Sequence, residues 1–486
     1  MTRAIRPVAA VLLLWAVPLW AQAPLRFSLA DAVARAQRES HAAKAAAATR
    51  DAARARDRAF GAGLLPQLAL TGNAPSYNRS IIPVIDPVTG QTVYREQEQN
   101  EASANMALTQ RLPVLGGDLF VSSALSRLDR GGSINDRLWN STPLLLGIRQ
   151  DIFRPNRLRW DSREQDLRAD IAERAYLEAM EDIAVQATNT FFDYYTAQLQ
   201  LVNAETNAAV NDTLYTLNRG RFEVGRLGEN ELLQSELALL RAQVALDGAR
   251  LERDRTLAAL RLALNLPVGT ALEVVVDADV PELRADTTLA VQQALRNRAT
   301  IADLHLQETQ ADRRVAEARY GTGAGATLQA SMGFNQTSLG GVGDVYRDLG
   351  EAQRVTLAVS VPLVQWGGRT AQMQAAKLDG ERVEHAGRQT REQTAQEAHF
   401  AALQLALTRR QLAIAAKADT VGAKRFDVAK NRYVIGRIGP DILYQAQTEK
   451  DQALLQYLQS LRGYWVAYYR LRRVTMYDFV AERPIR

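Results

Sequence analysis

The 486 residues include no cysteine, four histidines and 59 basic against 54 acidic side chains, a net charge of +5. That excludes disulfides, thiolate metal sites, cysteine nucleophiles and a lipid-attachment cysteine. With 23% charged residues of both signs, the surface is a mixed, solvated one and not a basic footprint for nucleic acid.

Residues 1–23 read as a cleavable signal peptide: Arg3 and Arg6 precede an apolar stretch over 7–20, and Ala21-Gln22-Ala23 is a small-x-small site. The mature chain then starts near Pro24, with a net charge of +3. No later stretch supplies ~18 uninterrupted apolar residues. A membrane-embedded form must therefore be a closed β-barrel.

A first repeat is expected over 24–287. Its helix, 28–60, is rich in Ala, Arg, Gln and Glu. Barrel strands and an inserted hairpin follow over 64–153, where Leu68 and Leu70, then Leu144, Leu146 and Ile148, alternate with polar or small residues. Between them, Ala102, Ala104, Met106 and Leu108 alternate likewise, and a turn from Leu112 to Gly117 leads into Leu119-Phe120-Val121, with loops at 74–100 and 128–143. The stretch 157–218 has no helix breaker and predicts a rod of roughly 93 Å. A tip turn (219–230), a return helix (231–264) and an equatorial segment (265–287) complete the repeat. Leu233, Leu237, Leu240, Val244 and Leu251 form a seam on the return helix, interrupted by Asp247.

The second repeat, 288–486, has a helix at 288–320, strands at 326–364, a rod at 369–431, a tip turn at 432–441, a return helix at 442–472 and a tail. The duplication rests on Arg221-Phe222-Glu223-Val224-Gly225-Arg226-Leu227-Gly228, which returns 211 residues later as Arg432-Tyr433-Val434-Ile435-Gly436-Arg437-Ile438-Gly439. Upstream, Ser28-Leu29-Ala30 pairs with Thr288-Leu289-Ala290 at an offset of 260, so 49 extra residues lie in the first copy before Ile148.

Signal peptide, Ser28-Leu29 to Ala32, Leu65-Pro66 before a strand, long rod, R-[FY]-x-x-G turn, return helix and second copy together resemble the TolC-like outer-membrane efflux family across the mature chain. The resemblance implies a fold that is mainly α with a β-barrel: an internally duplicated long-helix α-barrel joined to a trimer-shared transmembrane β-barrel. It implies a homotrimer in outer-membrane lipid, with a periplasmic helical tunnel, a periplasmic adaptor and an inner-membrane transporter as partners. The function would be the exit duct of a tripartite efflux pump or type I secretion system, without cofactors or catalysis. This chain departs from the family's two strands per half. Six strands per chain (18 per trimer) or four (12 per trimer), with a hairpin packed on the rim, are the two expectations.

The tips carry the candidate site: Arg221, Gly225, Arg226, Gly228 and Glu229 in the first repeat, and Arg432, Tyr433, Gly436, Arg437, Gly439 and Asp441 in the second. Their glycines are expected to supply positive-φ turn residues. The resemblance implies adaptor docking and tunnel constriction there, with Tyr433, Arg437 and Asp441 as latch and Arg226, Glu229 and Asn230 in the equivalent turn. Glu231 and Tyr444 stand near where an acidic ring would be, and ion pairs at the tips are expected to hold the closed state.

Rival readings fare worse. His41, His305, His385 and His399 lack metal-ligand spacing, and Gly321-Thr322-Gly323-Ala324-Gly325 reads as a helix stop before a strand. A periplasmic helical adaptor or scaffold without a barrel is the alternative; two hairpins and amphipathic strands before each rod count against it.

Overall fold

A computed structural model describes residues 25–86, 88–132, 135–276 and 285–486. The signal peptide, Pro24 and residues 277–284 of the equatorial segment lie outside the described residues. The chain divides into two units. One holds the described residues up to Lys44, those from Asp182 to 276, and Leu407–Tyr469; the other holds Ala45–Glu181, the described residues from 285 to Ala406, and Arg470–Arg486.

In the first unit, β1 (Leu25–Phe27) pairs in parallel with β6 (Leu272–Val274). Helix α1 (Leu29–Glu39) starts at Ser28, whose hydroxyl accepts from Asp31 N–H at 3.2 Å while the Asp31 carboxylate accepts from Ser28 N–H at 3.3 Å. The greater parts of three helices follow: α3 (Arg157–Glu223), α4 (Glu229–Ala263) and α8 (Pro440–Thr475), with the last part of α7 (Gly368–Val434). Both α3 and α7 have 67 residues. They outrun their predicted ends because their last turns close as helix before the glycine. Phe191, Phe192, Leu260 and Leu264 are fully buried, and Tyr194 Oη donates to Leu272 O at 3.1 Å. On α8, Leu458 and Leu461 are buried. The α4 seam of Leu233, Leu237, Leu240, Val244 and Leu251 is exposed in the single chain. On α7, Leu412, Phe426 and Tyr433 are buried, while Leu407, Ile414, Val421 and Val428 on another face stay exposed at seven-residue spacing.

The predicted helix 28–60, whose residues up to Lys44 belong to the first unit and the rest to the second, is not one helix. It breaks at Ser40 (φ −62°, ψ 153°), whose hydroxyl then caps α2 (His41–Gly63) through Ala43 N–H. The predicted helix 288–320 likewise splits into α5 (Thr287–Asn297) and α6 (Ala299–Gly321) at Arg298 (φ −67°, ψ 141°). The N-caps Ser28 and Asp286 and the breaks Ser40 and Arg298 each stand 258 residues apart.

The sheet of the second unit runs β2 (Gln67–Ile85), β3 (Thr92–Leu112), β4 (Gly117–Gly132), β5 (Asp136–Ile152), β7 (Gly325–Ser338), β8 (Gly350–Ser360), every neighbour antiparallel. The inserted hairpin is thus part of the sheet, and the described residues contribute six strands to it. The expected loops 74–100 and 128–143 are a correction: β2 and β3 stay paired up to Ile85 and Thr92, and β4 and β5 up to Arg130 and Asp136. Polar side chains there suggested loops, but ladder hydrogen bonds use only the backbone. Small β9 (Tyr477–Asp478) and β10 (Arg483–Pro484) form a hairpin near the C-terminus.

The register sorts the sheet into two faces. Leu68, Leu108, Val121, Leu146 and Met332 are successive cross-strand partners and form one apolar row. One residue away, Gln67, Thr109, Phe120, Gly147, Ser331 and Arg354 form a row on the opposite, largely polar face. Among the described residues, neither β2 nor β8 has a partner on its outer edge.

Candidate functional site at the helix turns

Both long helices end in the same hydrogen-bonded stop. Arg226 N–H donates to Arg221 O at 2.8 Å and Gly225 N–H to Phe222 O at 2.9 Å; Arg437 N–H donates to Arg432 O and Gly436 N–H to Tyr433 O, each at 2.9 Å. This Schellman pairing requires a left-handed residue, which Gly225 (φ +67°) and Gly436 (φ +73°) provide. The expectation that every tip glycine takes positive φ is corrected. Gly228 has φ −75° and caps α4, its N–H donating to the Glu231 carboxylate at 3.1 Å, and Gly439 is not in the left-handed region. Glu231 is thus a helix cap. Pro440 opens α8, where its fixed φ suits the first helical position.

Alanine should therefore separate the glycines. Gly436→Ala is expected to cost about 1–2 kcal/mol, the left-handed penalty. Gly439→Ala would meet only the Asp441 carboxylate, 2.5 Å from the added carbon and able to swing away, so it should cost much less. Thermal unfolding of the two variants checks the order.

The two turns are tied together. Tyr433 is 2% exposed, and its hydroxyl donates to Asn218 Oδ1 at 2.8 Å. The Arg221 guanidinium lies 5.6 Å from the centre of the Tyr433 ring and donates to Val434 O at 2.9 Å. Leu214, Phe426, Ala429, Leu443 and Ala446 pack with Tyr433 in one buried cluster. Burial pushes the Tyr433 hydroxyl above its ordinary pKa and that of Tyr444 up to about 12, so both stay protonated at neutral pH.

Of the predicted residues, Arg221 and Tyr433 meet directly, Gly225 and Gly436 make the turns, and Arg432 accepts at its carbonyl. Among the described residues, Arg226, Glu229, Arg437 and Asp441 make no ion pair within the chain, and Asn230 is exposed. The expected tip ion pairs are not intrachain contacts of these residues.

Asn218 was not anticipated, because its partner lies 215 residues away. Nor was the polar seam beyond it. Asp451 accepts from Asn203 at 2.7 Å and Asn207 at 2.9 Å, and Lys450 Nζ donates to Asn207 Oδ1 at 3.0 Å. Asn203, Asn207 and Asp451 line a groove of about 560 Å³ between α3, α4 and α8, which also holds Asn211, Gln234, Arg241 and Tyr444. Asparagines at 203, 207 and 211 recur every four residues, a signal readable in the sequence. The four histidines are exposed, and among the described residues no His/Asp/Glu cluster could hold a metal. No described helix is long and apolar enough to cross a membrane.

Residues 93–266 match the family model described as outer membrane efflux protein. Three solved structures are similar in fold. The CmeC outer membrane channel of Campylobacter jejuni shares 17% identity, with 92% of this chain and 85% of that one covered and a TM-score of 0.66. The outer membrane protein VceC of Vibrio cholerae gives 14%, 92%, 95% and 0.64, and the open state of the MtrE outer membrane channel of Neisseria gonorrhoeae gives 14%, 92%, 88% and 0.62. A search of curated protein sequences finds no significant match.

Proposed function

We propose, from the outer membrane efflux protein domain that residues 93–266 carry, that the chain is one third of a passive outer-membrane exit duct for an efflux pump. Its sheet belongs in the outer membrane and its long helices in a periplasmic tunnel. The observation that carries this reading is the open-edged, two-faced sheet. Unpaired strand edges cannot stand in lipid, so β2 of one copy must meet β8 of another.

The register supports closure by three copies. From β2 to β8 the lower strand ends step in one direction by about six residues, read from the pairs Gln67–Thr109, Leu112–Gly117, Ile152–Ala326 and Gly325–Ser360. Three copies give 18 strands with a shear of roughly 18–21, which at 3.3 Å per residue and 4.8 Å between strands means a tilt of about 35–40°, normal for such barrels. The apolar row through Leu146 then meets lipid and the row through Phe120 faces the lumen. Exposed seams on α4 and α7 supply apolar surface for packing between copies. Matching element lengths and turn motifs in the two halves support an internal duplication with an insertion that widened the barrel.

We further assign the turns to adaptor docking and gating, through Arg221, Gly225, Arg226, Gly228, Glu229, Arg432, Tyr433, Gly436, Arg437, Gly439 and Asp441. The Asn218–Tyr433–Arg221 tie holds the two hairpins of one copy together. Arg437 and Asp441, without ion-pair partners among the described residues, are then available to other copies or to the adaptor. A periplasmic adaptor and an inner-membrane transporter complete the pump; type I secretion is the related alternative use.

Light scattering on protein extracted from outer-membrane fractions, corrected for detergent, should give a trimer mass. A monomer in the soluble periplasmic fraction would overturn the barrel in favour of a helical adaptor or scaffold. For the gate, Arg437→Ala should raise closed-state conductance in planar bilayers. Unchanged conductance in both Arg437→Ala and Asp441→Ala would sink the gating role.

A further inference from the structure

In the segment that joins β8 to α7, Trp366 is 96% exposed and Leu363 89%. They extend an apolar run. Val355, Leu357 and Val359 lie on the apolar face of β8, and the alternation continues in the sequence through Val361 and Leu363. Val355 to Leu363 spans roughly 26 Å of extended chain. At the barrel tilt given above that is a height of roughly 21 Å, close to the ~25 Å apolar band of such barrels. Trp366 then stands where the aromatic girdle of a membrane interface belongs.

Three arginines gather beside it, around the turn from α6 into β7. Gln365 Nε2 donates to Thr322 O at 2.9 Å and holds the β8–α7 segment against that turn. Arg369 Nη2 donates to Arg319 O at 3.2 Å and lies over Gly323, where an added carbon would be 3.3 Å from it. Arg154 lies over Gly325, its Nε 2.8 Å from an added carbon. The Arg319 guanidinium is 5.3 Å from the centre of the Tyr320 ring. All three arginines are exposed, and among the described residues none makes an ion pair. The carboxylates nearby are engaged elsewhere: Asp161 and Glu317 pair with Arg313, and Asp151 accepts from Thr327.

Helix capping does not account for the group, because Arg369 alone reaches the α6 carbonyl and three gathered cations repel one another. Closure of the barrel does not neutralise them either. The β2 strand of the next copy follows a stretch in which Arg54, Arg56 and Arg58 stand against Asp57. Unpaired guanidinium groups beside an exposed indole, at the edge of an apolar band, match a phospholipid headgroup. Arginine hydrogen-bonds the phosphodiester in its fork, and the indole rests at headgroup level.

We propose that Arg154, Arg319 and Arg369, with Trp366, hold the headgroup of an anionic phospholipid at the periplasmic rim of the barrel, one site per copy. This rests on the barrel reading above, because only there does the apolar face of β8 meet lipid.

The full-length trimer, its mass verified by light scattering, is titrated in dodecyl maltoside with phosphatidylglycerol or phosphatidylcholine. Native mass spectrometry counts the lipids retained. Phosphatidylglycerol is expected to saturate at one per copy and to bind about tenfold more tightly than phosphatidylcholine. Arg154→Gln with Arg369→Gln should weaken its retention about tenfold to thirtyfold, near fivefold per charge. Arg354→Gln, on the polar face of β8, should leave retention unchanged. If the double variant forms no trimer, Arg319→Gln carries the test, with about a fivefold loss expected; that guanidinium makes no hydrogen bond among the described residues. Equal retention of the two lipids, or an equal loss in Arg354→Gln, overturns the site. Displacement by inorganic phosphate at the same concentration marks a simple anion site and overturns the lipid assignment. A parent protein that never forms a trimer overturns the barrel reading beneath it, and the site with it.

Discussion

On the barrel proposed above, Leu146→Arg is expected to abolish the membrane-inserted trimer. Leu146 stands mid-row on the apolar face, between Val121 and Met332, and is 47% exposed in the single chain. A lipid-facing arginine near the bilayer midplane costs about 2–4 kcal/mol, and a trimer carries three, so the total is roughly 6–12 kcal/mol. That rivals the whole stability of many folded domains. Ser126→Arg is the matched control: it is on the polar face, partnered by Ser103 and Asn140, and should assemble normally. Membrane fractionation followed by light scattering reads both. Loss of the trimer in both variants, or in neither, would contradict the assignment of faces.

The second large effect is expected at Arg472. Its guanidinium reaches both oxygens of Glu181, at 3.1 and 3.2 Å, and Asp478 at 2.5 Å. The Glu181 side chain is 3% exposed. Arg472→Met leaves that carboxylate buried without its cation, a situation that costs about 3–5 kcal/mol. Removing both charges is a different matter, since a buried pair exchanged for apolar side chains is often near neutral. The double variant Arg472→Met, Glu181→Leu should recover most of the loss in denaturant unfolding. A single variant as stable as the parent would mean that water already reaches Glu181.

Local chemistry was legible in the sequence. The R-[FY]-x-x-G pattern marked both helix ends because a Schellman stop needs its glycine within a few residues, and the long helices were visible as stretches without breakers. What failed is equally specific. Ser40 and Arg298 break helices through single extended residues that composition does not flag. The strand segments around 92–100 read as loops because neither face there is apolar enough to alternate. Asn218, with Tyr433 215 residues away, could not be paired by any local rule. Arg226 and Arg437 lie in the turns as read, whereas Asp441 stands in the first turn of α8; their ion pairing was inferred from the resemblance and is not made among the described residues.

The order of strands has a consequence for how the protein is made. Strands β2 to β5 pair only with sequence neighbours, whereas β5 must wait for β7, with about 170 residues of helix and connection between them. Long-range pairings form late because chain closure over such a separation is entropically costly. A half-emerged chain would thus hold a four-stranded meander whose last strand shows Leu144, Leu146 and Ile148 beside unsatisfied backbone groups. Such an edge invites pairing with the wrong chain. The interval before β7 arrives is therefore when this polypeptide most needs a chaperone, and mutations that slow the folding of the intervening helices should show up first as aggregation.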